Sequence, residues 1–405
     1  MFPFFLSGSF PRHRTATHMK CLTCLAAFCF SFLLAAVTAA FAAEGDALVE
    51  AKAPRILMME ASTGTVLLSR GVDIPFNTGS LAKLMTVEVA LNALERGEIS
   101  AEATYPVSHN AWQMGGAPSG TTTMFAQVRS SISVADLLRG IIVQNANDGC
   151  IALAEGMAGS EAAFAARMNE RAKTIGLKAS RFGNATGLPT QESVTTINDI
   201  LRLARHIEET YPSYFPLYAQ PDFEWGKIRQ RNKNPLLGVI DGISGFSAGY
   251  AEKAGFGLVA TARRGDTRLY LAMSGLASEK ERRDEAVRLF EWGFSSFSLQ
   301  RVFSAGTVVG AVKIYGGATD TLSVKPNKDV LAYVPNDAAG KVTADITYQG
   351  PVKAPVESGQ EIGMVRILAG DTVLHQAPVY ANEAVAAGPL KSRASDALKT
   401  LIFGH

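Results

Sequence analysis

Ser80 and Lys83, three residues apart in Ser80-Leu81-Ala82-Lys83, are the pair in this 405-residue chain whose types and spacing most readily do chemistry. Leu84, Val87, Leu91 and Leu94 recur behind them at helical spacing and Gly97 offers a stop, so both are predicted on one face at a helix start. A hydroxyl there with an amine beside it makes an activated nucleophile. The amine takes the proton, and the helix dipole favours the oxyanion that follows. The motif alone is of low specificity, because a chain this long yields about one Ser-x-x-Lys by composition. Its bland readings are an ordinary serine helix cap and a solvent-exposed lysine.

Such a pair needs two further walls around one cleft. One is a short polar segment that relays a proton to the leaving group and holds the substrate amide. The other is a strand that supplies a cation for a substrate carboxylate and a backbone edge for β-pairing. About 60 residues after Lys83 the chain reads Gln144-Asn145-Ala146-Asn147-Asp148-Gly149-Cys150, before a helical pattern. Late in the same region it reads Ser244-Gly245-Phe246-Ser247-Ala248-Gly249-Tyr250, leading into a strand-like run. Other polar candidates are weaker. His109 and His206 are isolated and lack metal-ligand spacing. Gly115 to Gly120 follows no clear strand and lacks a Lys-Ser/Thr end, so it reads as a cleft-edge loop and not a phosphate cradle.

The elements that must position these residues follow from periodicity. A hairpin is expected over 54–69, helices over 80–96, 133–143, 148–158, 161–175, 196–209 and 280–297, and strands over 256–262 and 267–274. Asp148 and Ser160 read as helix caps. Strands, then helices, then strands indicate an α/β (α+β) domain with an antiparallel sheet against a helical cluster. From 302 to about 381 short strand-like runs broken by Gly and Pro indicate a small all-β sandwich domain. Residues 388–405 place Leu390, Ala394, Ala397, Leu398, Leu401 and Ile402 on one stripe with Lys391, Arg393 and Lys399 mostly off it. Such a helix suits a membrane interface or the flank of the β-domain.

At the other end, Arg12, Arg14 and Lys20 precede an apolar run from Cys21 to Ala43 that closes on Ala40-Phe41-Ala42. This reads as a cleaved export signal, with an uncleaved anchor helix as the rival and Met19 as a start giving a more ordinary length. Three of the four cysteines leave with that signal, so Cys150 has no disulfide partner. A net charge of +2 gives no field for nucleic acid, and 47% apolar with 19% charged residues describes a globular chain.

Taken together, Ser80-Leu81-Ala82-Lys83-Leu84-Met85-Thr86, Asn184-Ala185-Thr186-Gly187-Leu188-Pro189, Arg229 to Asn234, Tyr315-Gly316-Gly317-Ala318 and Val324-Lys325-Pro326-Asn327-Lys328 resemble the D-alanyl-D-alanine carboxypeptidases. These are low-molecular-mass penicillin-binding proteins of serine peptidase family S11. The resemblance implies a serine transpeptidase/β-lactamase-like domain at 44–298 after a signal at 1–43, an all-β domain at 299–385 and a membrane-associating helix at 386–405. It implies removal of the terminal D-alanine from peptidoglycan stem pentapeptides through an acyl-enzyme on Ser80, without metal or cofactor. It also implies β-lactams as acylating inhibitors and a periplasmic place on the inner-membrane surface.

By the same resemblance Lys83 is the general base, Asn147 holds the substrate amide, and Ser247, Ala248 and Gly249 form the substrate-binding strand. Two positions depart from the family pattern. Asn145 stands where the family has the relay serine, and Ser247-Ala248-Gly249 stands in place of Lys-Thr-Gly. An amide cannot shuttle a proton as a hydroxyl does. The lost cation is worth roughly 1.5–3 kcal/mol and the lost relay roughly 10²–10⁴-fold in rate. Three readings stay open: a carboxypeptidase of reduced activity, with Lys253, Arg229 or Arg231 as substitute cation; a catalytically weak penicillin- or muropeptide-binding module; and a different amide or ester hydrolysis.

Overall fold

The computed structural model describes residues 49–190, 193–337, 342–390 and 393–394. The export signal expected at 1–43 and most of the helix expected at 386–405 lie outside them.

The sheet that carries the third wall is built from the hairpin β1 (Arg55–Glu60) and β2 (Val66–Arg70) and from three later strands. The short ribbons β3 (Thr104–Pro106) with β4 (Ser131–Ser133), and β5 (Asp222–Trp225) with β6 (Ile228–Arg231), stand apart from it. The later strands are β7 (Ile243–Ala251), β8 (Gly255–Arg264) and β9 (Thr267–Leu276), and the order is β2-β1-β9-β8-β7, antiparallel throughout. Pairing of Gly249 with Gly257 and Ala248 with Leu258 leaves β7 at the sheet edge.

Both faces of this sheet are covered, which is why β8 and β9 read as near-continuous apolar runs. Helix α1 (Lys83–Glu95), α2 (Val134–Gln144), α3 (Asn147–Ala158), α4 (Glu161–Thr174) and α5 (Ile197–Thr210) form a cluster on one face, sharing a core with Val259 and Ala272. Helix α6 (Glu279–Ser295) packs Ala286, Leu289 and Phe290 on the other, against Leu258, Ala260, Leu271 and Met273. The expected helices recur within two residues at each end, except that α1 starts three residues later than expected, after a 3₁₀ turn over Gly79–Ala82. Two expectations change. Helix α1 is not an amphipathic surface helix but the buried axis of the cluster, with ten of its thirteen residues enclosed. Asp148 is not the cap of α3, which starts from Ala146. Ser160 does cap α4, accepting from Ala163 N at 3.2 Å.

Beyond α6, β10 (Phe297–Phe303) pairs with β13 (Val330–Pro335) as a ribbon. β11 (Gly310–Tyr315), β12 (Thr321–Lys325), β14 (Val342–Tyr348), β15 (Val352–Lys353), β16 (Glu361–Ala369) and β17 (Thr372–Ala381) make a six-stranded sheet, antiparallel except for β11 with β15. Its core is Val312, Leu322, Val324, Val365, Ile367 and Val379. Tyr333 seats this region against the first hairpin, its N–H donating to Thr65 Oγ1 at 3.1 Å and its hydroxyl 2.9 Å from Thr267 Oγ1.

Candidate active site

Ser80 lies in a single 3₁₀ turn, Gly79–Ala82, that runs straight into α1. Its hydroxyl caps neither helix, and instead receives a hydrogen bond from Lys83 Nζ at 3.3 Å. Lys83 is 3% exposed, so neither bland reading of the pair holds. Its second acceptor is the Thr186 carbonyl at 2.7 Å, and it forms no ion pair among the described residues. Burial with no carboxylate at hand disfavours the ammonium and lowers its pKa from 10.5 to about 8. Cys150 on α3 opposes this weakly, while burial pushes its own thiol up to about 12. At neutral pH about a tenth of the amine is therefore free to take a proton, against a few parts in ten thousand for an exposed lysine.

The second wall is the α2–α3 junction. Asn145 ends α2 with φ +60° and ψ +35°, a left-handed conformation that asparagine tolerates better than most residues. Its Nδ2 reaches across to donate to Ala248 O of β7 at 3.4 Å, and its carbonyl accepts from Thr122 Oγ1 at 2.7 Å. Asn147 is buried at the start of α3. Its Nδ2 donates to Thr121 Oγ1 at 2.9 Å, and its Oδ1 is buried without a partner. Asp148 serves the wall from behind. Its carboxylate accepts from Thr123 Oγ1 at 2.6 Å and from the N–H groups of Met124, Ala126 and Gly149 at 2.9–3.0 Å. Gly115 of the loop expected at the cleft edge packs here, where a Cβ would lie 2.4 Å from Asp148 N.

The third wall closes on the first through glycine. A Cβ on Gly249 would sit 3.1 Å from Leu81 N and 3.4 Å from Ser80 N, and one on Gly79 (φ +49°) would meet Tyr250 O at 2.4 Å. Of the two triplets, it is Gly249 that lies against the Ser80 turn, whereas Ser244 accepts from Arg268 at 3.4 Å and Phe246 is buried with Phe215 and Tyr218. Ser247 and Ala248 are half-buried on β7.

None of the suggested substitute cations is placed there by a contact. Arg229 pairs with Asp222 at 2.5 Å on the β5–β6 ribbon, Arg231 is exposed on that ribbon, and Lys253 is exposed in the β7–β8 turn. The cation that does reach the wall is Arg282 of α6, only 6% exposed, with Nη1 donating to Gly249 O at 3.4 Å and its guanidinium 5.6 Å from the Phe256 ring centre. It has no ion pair among the described residues, its Nε is unpartnered, and burial lowers its pKa. It sits in Glu279-Lys280-Glu281-Arg282-Arg283-Asp284, a charge run that reads as a solvated helix start, so nothing in the sequence singles it out. Thr121 was missed as well, while Thr86 and Thr186 stood in segments that carry the resemblance without a role of their own; they act through hydroxyls or a backbone carbonyl.

A family model described as D-alanyl-D-alanine carboxypeptidase matches residues 39–276, and one described as penicillin-binding protein 5, C-terminal domain, matches residues 297–387. The chain is 30% identical over 343 residues to D-alanyl-D-alanine carboxypeptidase DacD of Salmonella typhimurium, spanning 84% of this chain and 88% of that one. To DacA of Escherichia coli K12 it is 27% identical over 352 residues, 86% and 87% of the two chains. Among solved structures, the DacD carboxypeptidase from Francisella tularensis matches with TM-score 0.69 at 25% identity, over 84% of this chain and 95% of that one. Penicillin binding protein 5 from Haemophilus influenzae matches with TM-score 0.65 at 28% identity, over 84% and 100%.

Proposed function

The chain belongs to the D-alanyl-D-alanine carboxypeptidase family of serine peptidases, and on that premise we propose that Ser80 is the residue acylated while the terminal D-alanine of a peptidoglycan stem pentapeptide departs. The protein is a serine-type D-Ala-D-Ala carboxypeptidase. The observation that carries the assignment of roles is the buried Lys83 amine, 3.3 Å from Ser80 Oγ and without an ion pair among the described residues. Neutral Lys83 takes the Ser80 proton as Oγ attacks the scissile carbonyl. The N-terminal end of the Ser80 turn and α1 favours the oxyanion. Collapse expels D-alanine, whose nitrogen takes the proton held by Lys83; water, deprotonated by Lys83, then attacks the ester, and the proton returns to Ser80 Oγ as the shortened stem leaves. A β-lactam acylates the same oxygen; a penicillin-binding protein of Listeria monocytogenes has been solved in its ampicillin-bound form.

Asn147 holds the substrate amide, Gly249 lets the substrate backbone approach β7, and Arg282 supplies the positive charge that Ser247 does not. Asn145 at the relay position reduces turnover. One observation favours the second reading, a weakly turning-over penicillin- or muropeptide-binding module: the Asn145 amide occupies Ala248 O, an acceptor on the strand edge that a substrate backbone would use. Residues 1–43 act as the export signal and 386–405 as a peripheral inner-membrane contact, with the catalytic domain on the periplasmic side. What supports the contact is the basic apolar stripe and Leu390, 81% exposed where that stripe begins. No helix among the described residues is long and apolar enough to cross a membrane.

Labelling with a fluorescent penicillin, followed by D-alanine release from a pentapeptide, tests the roles. We expect labelling that Ser80→Ala abolishes and slow release that it also abolishes. Labelling without release selects the binding module, and no labelling sinks both readings.

A further inference from the structure

We propose that Asn184 is a positioning residue for Lys83, acting through the 184–188 loop whose backbone holds the amine. This rests on the reading of Lys83 as the base of Ser80.

Two successive carbonyls of that loop clamp two successive turns of α1. Ala185 O accepts from Thr86 Oγ1 at 2.6 Å and Thr186 O accepts from Lys83 Nζ at 2.7 Å. The direction of Thr186 O is fixed by one side chain. Asn184 Oδ1 accepts from Thr186 N at 3.2 Å, Thr186 Oγ1 at 3.1 Å and Gly187 N at 2.7 Å, while its Nδ2 donates to Leu188 O at 3.1 Å. The turn is then pressed onto the residue before the nucleophile: Gly187 has φ +75°, and a Cβ there would lie 1.8 Å from Gly79 O. Asn184 thus shapes a loop that touches the nucleophile's turn, the base and the helix carrying both, without a contact of its own to either catalytic group. The loop excludes water from Lys83 and gives it one neutral acceptor in exchange.

Among the described residues, three titratable groups bear on the amine or its loop. Cys150 faces it from α3, and Glu161 of α4 meets the loop from its far side, accepting from the Ala185 backbone. Glu88, further along α1, is turned away toward Arg171, Tyr211 and His206 at 2.8, 3.0 and 3.2 Å. A carboxylate introduced at 184 would lie within the loop that holds the amine, against Thr186 N.

The experiment uses full-length wild type, N184D and N184A. Lys83 is titrated by NMR on ε-¹³C-lysine-labelled protein, its resonance assigned by loss in K83M. Acylation by a fluorescent penicillin is followed across pH. N184D keeps the acceptor oxygen, so its acylation plateau at high pH should match wild type. Its Lys83 titration and the acidic limb of its profile should move up by a unit or more, making acylation at pH 7 about tenfold slower per unit. N184A loses the acceptor, and its plateau should fall at least tenfold. An unchanged Lys83 titration in N184D overturns the proposal, as does a wild-type plateau in N184A. Should N184A fail to fold, the N184D titration decides. A wild type that is never acylated overturns the base assignment instead, and the NMR titration still reports whether the loop governs the amine.

Discussion

Replacing Asn145 by serine should raise D-alanine release and lower stability. Asn145 sits at φ +60° in a left-handed turn, where serine is less at ease by about 1 kcal/mol. The bond given up, Nδ2 to Ala248 O, is long at 3.4 Å and belongs at the low end of the net worth of a hydrogen bond, about 0.5 kcal/mol. Backbone support from Thr122 Oγ1, at 2.7 Å, does not depend on the side chain and persists. The variant should therefore fold, melting a few degrees lower for about 1–2 kcal/mol lost. In exchange it gains a hydroxyl at the relay position and frees Ala248 O for the substrate. General acid catalysis of that kind is worth roughly 10²–10⁴-fold. With Ser247 unchanged on the facing wall, at least a tenfold gain in pentapeptide turnover is expected. The assay is D-alanine release from a pentapeptide beside the rates of penicillin acylation and deacylation. A folded N145S protein that labels normally yet releases D-alanine no faster would refute the relay assignment, and with it the account of reduced activity.

Three further outcomes follow from the same geometry. Because Lys83 titrates near 8 when folded and 10.5 when unfolded, the unfolded chain binds more protons between those values. Its share of stability is therefore lowest below pH 8 and recovers as pH rises to about 10.5. Removing the amine in K83M should abolish acylation yet raise the melting temperature at pH 7, by no more than about 3 kcal/mol in stability less what the Thr186 O contact contributes; a destabilised K83M would contradict the pKa direction. Arg282→Gln should raise KM for a free-carboxylate peptide about tenfold or more and leave a C-terminally amidated peptide unaffected, for the loss of roughly 1.5–3 kcal/mol; equal effects on both would place Arg282 outside carboxylate binding. Deletion of 388–405 should move the protein from the membrane pellet to the soluble fraction, and unchanged pelleting would refute the helix as anchor.

The elements were legible because their causes are local. Two apolar runs flanking Ser62-Thr63-Gly64 mark β1 and β2, 3.6-residue periodicity marks α2 and α5, and Ser160 caps α4 as its type suggests. The burial of α1 was not, since Thr86 and Glu88 read as a polar face until Ala185 O, Arg171, Tyr211 and His206 satisfy them from other segments. Asp148 misled for a related reason: an acidic residue at a helix start has the composition of a cap, but four donors from 123–126 and Gly149 claim its carboxylate.

The sequence offered two Ser-containing triplets for the third wall, and of the two it is Gly249 that packs against the Ser80 turn. A Cβ at Gly249 would crowd Leu81 N at 3.1 Å, whereas one at Gly245 would meet the Phe215 ring. The same closeness bears on the missing lysine. A cation need not come from β7 itself when a guanidinium from α6 is buried within 3.4 Å of the Gly249 carbonyl, and a buried arginine without an ion pair is costly unless something anionic arrives. On the proposed role of Arg282, serine at 247 still leaves the wall a buried cation. At 145 the nearby hydroxyls are already engaged, Thr121 Oγ1 accepting from Asn147 Nδ2 and Thr122 Oγ1 donating to Asn145 O. Of the two departures, the second is the one that should limit turnover.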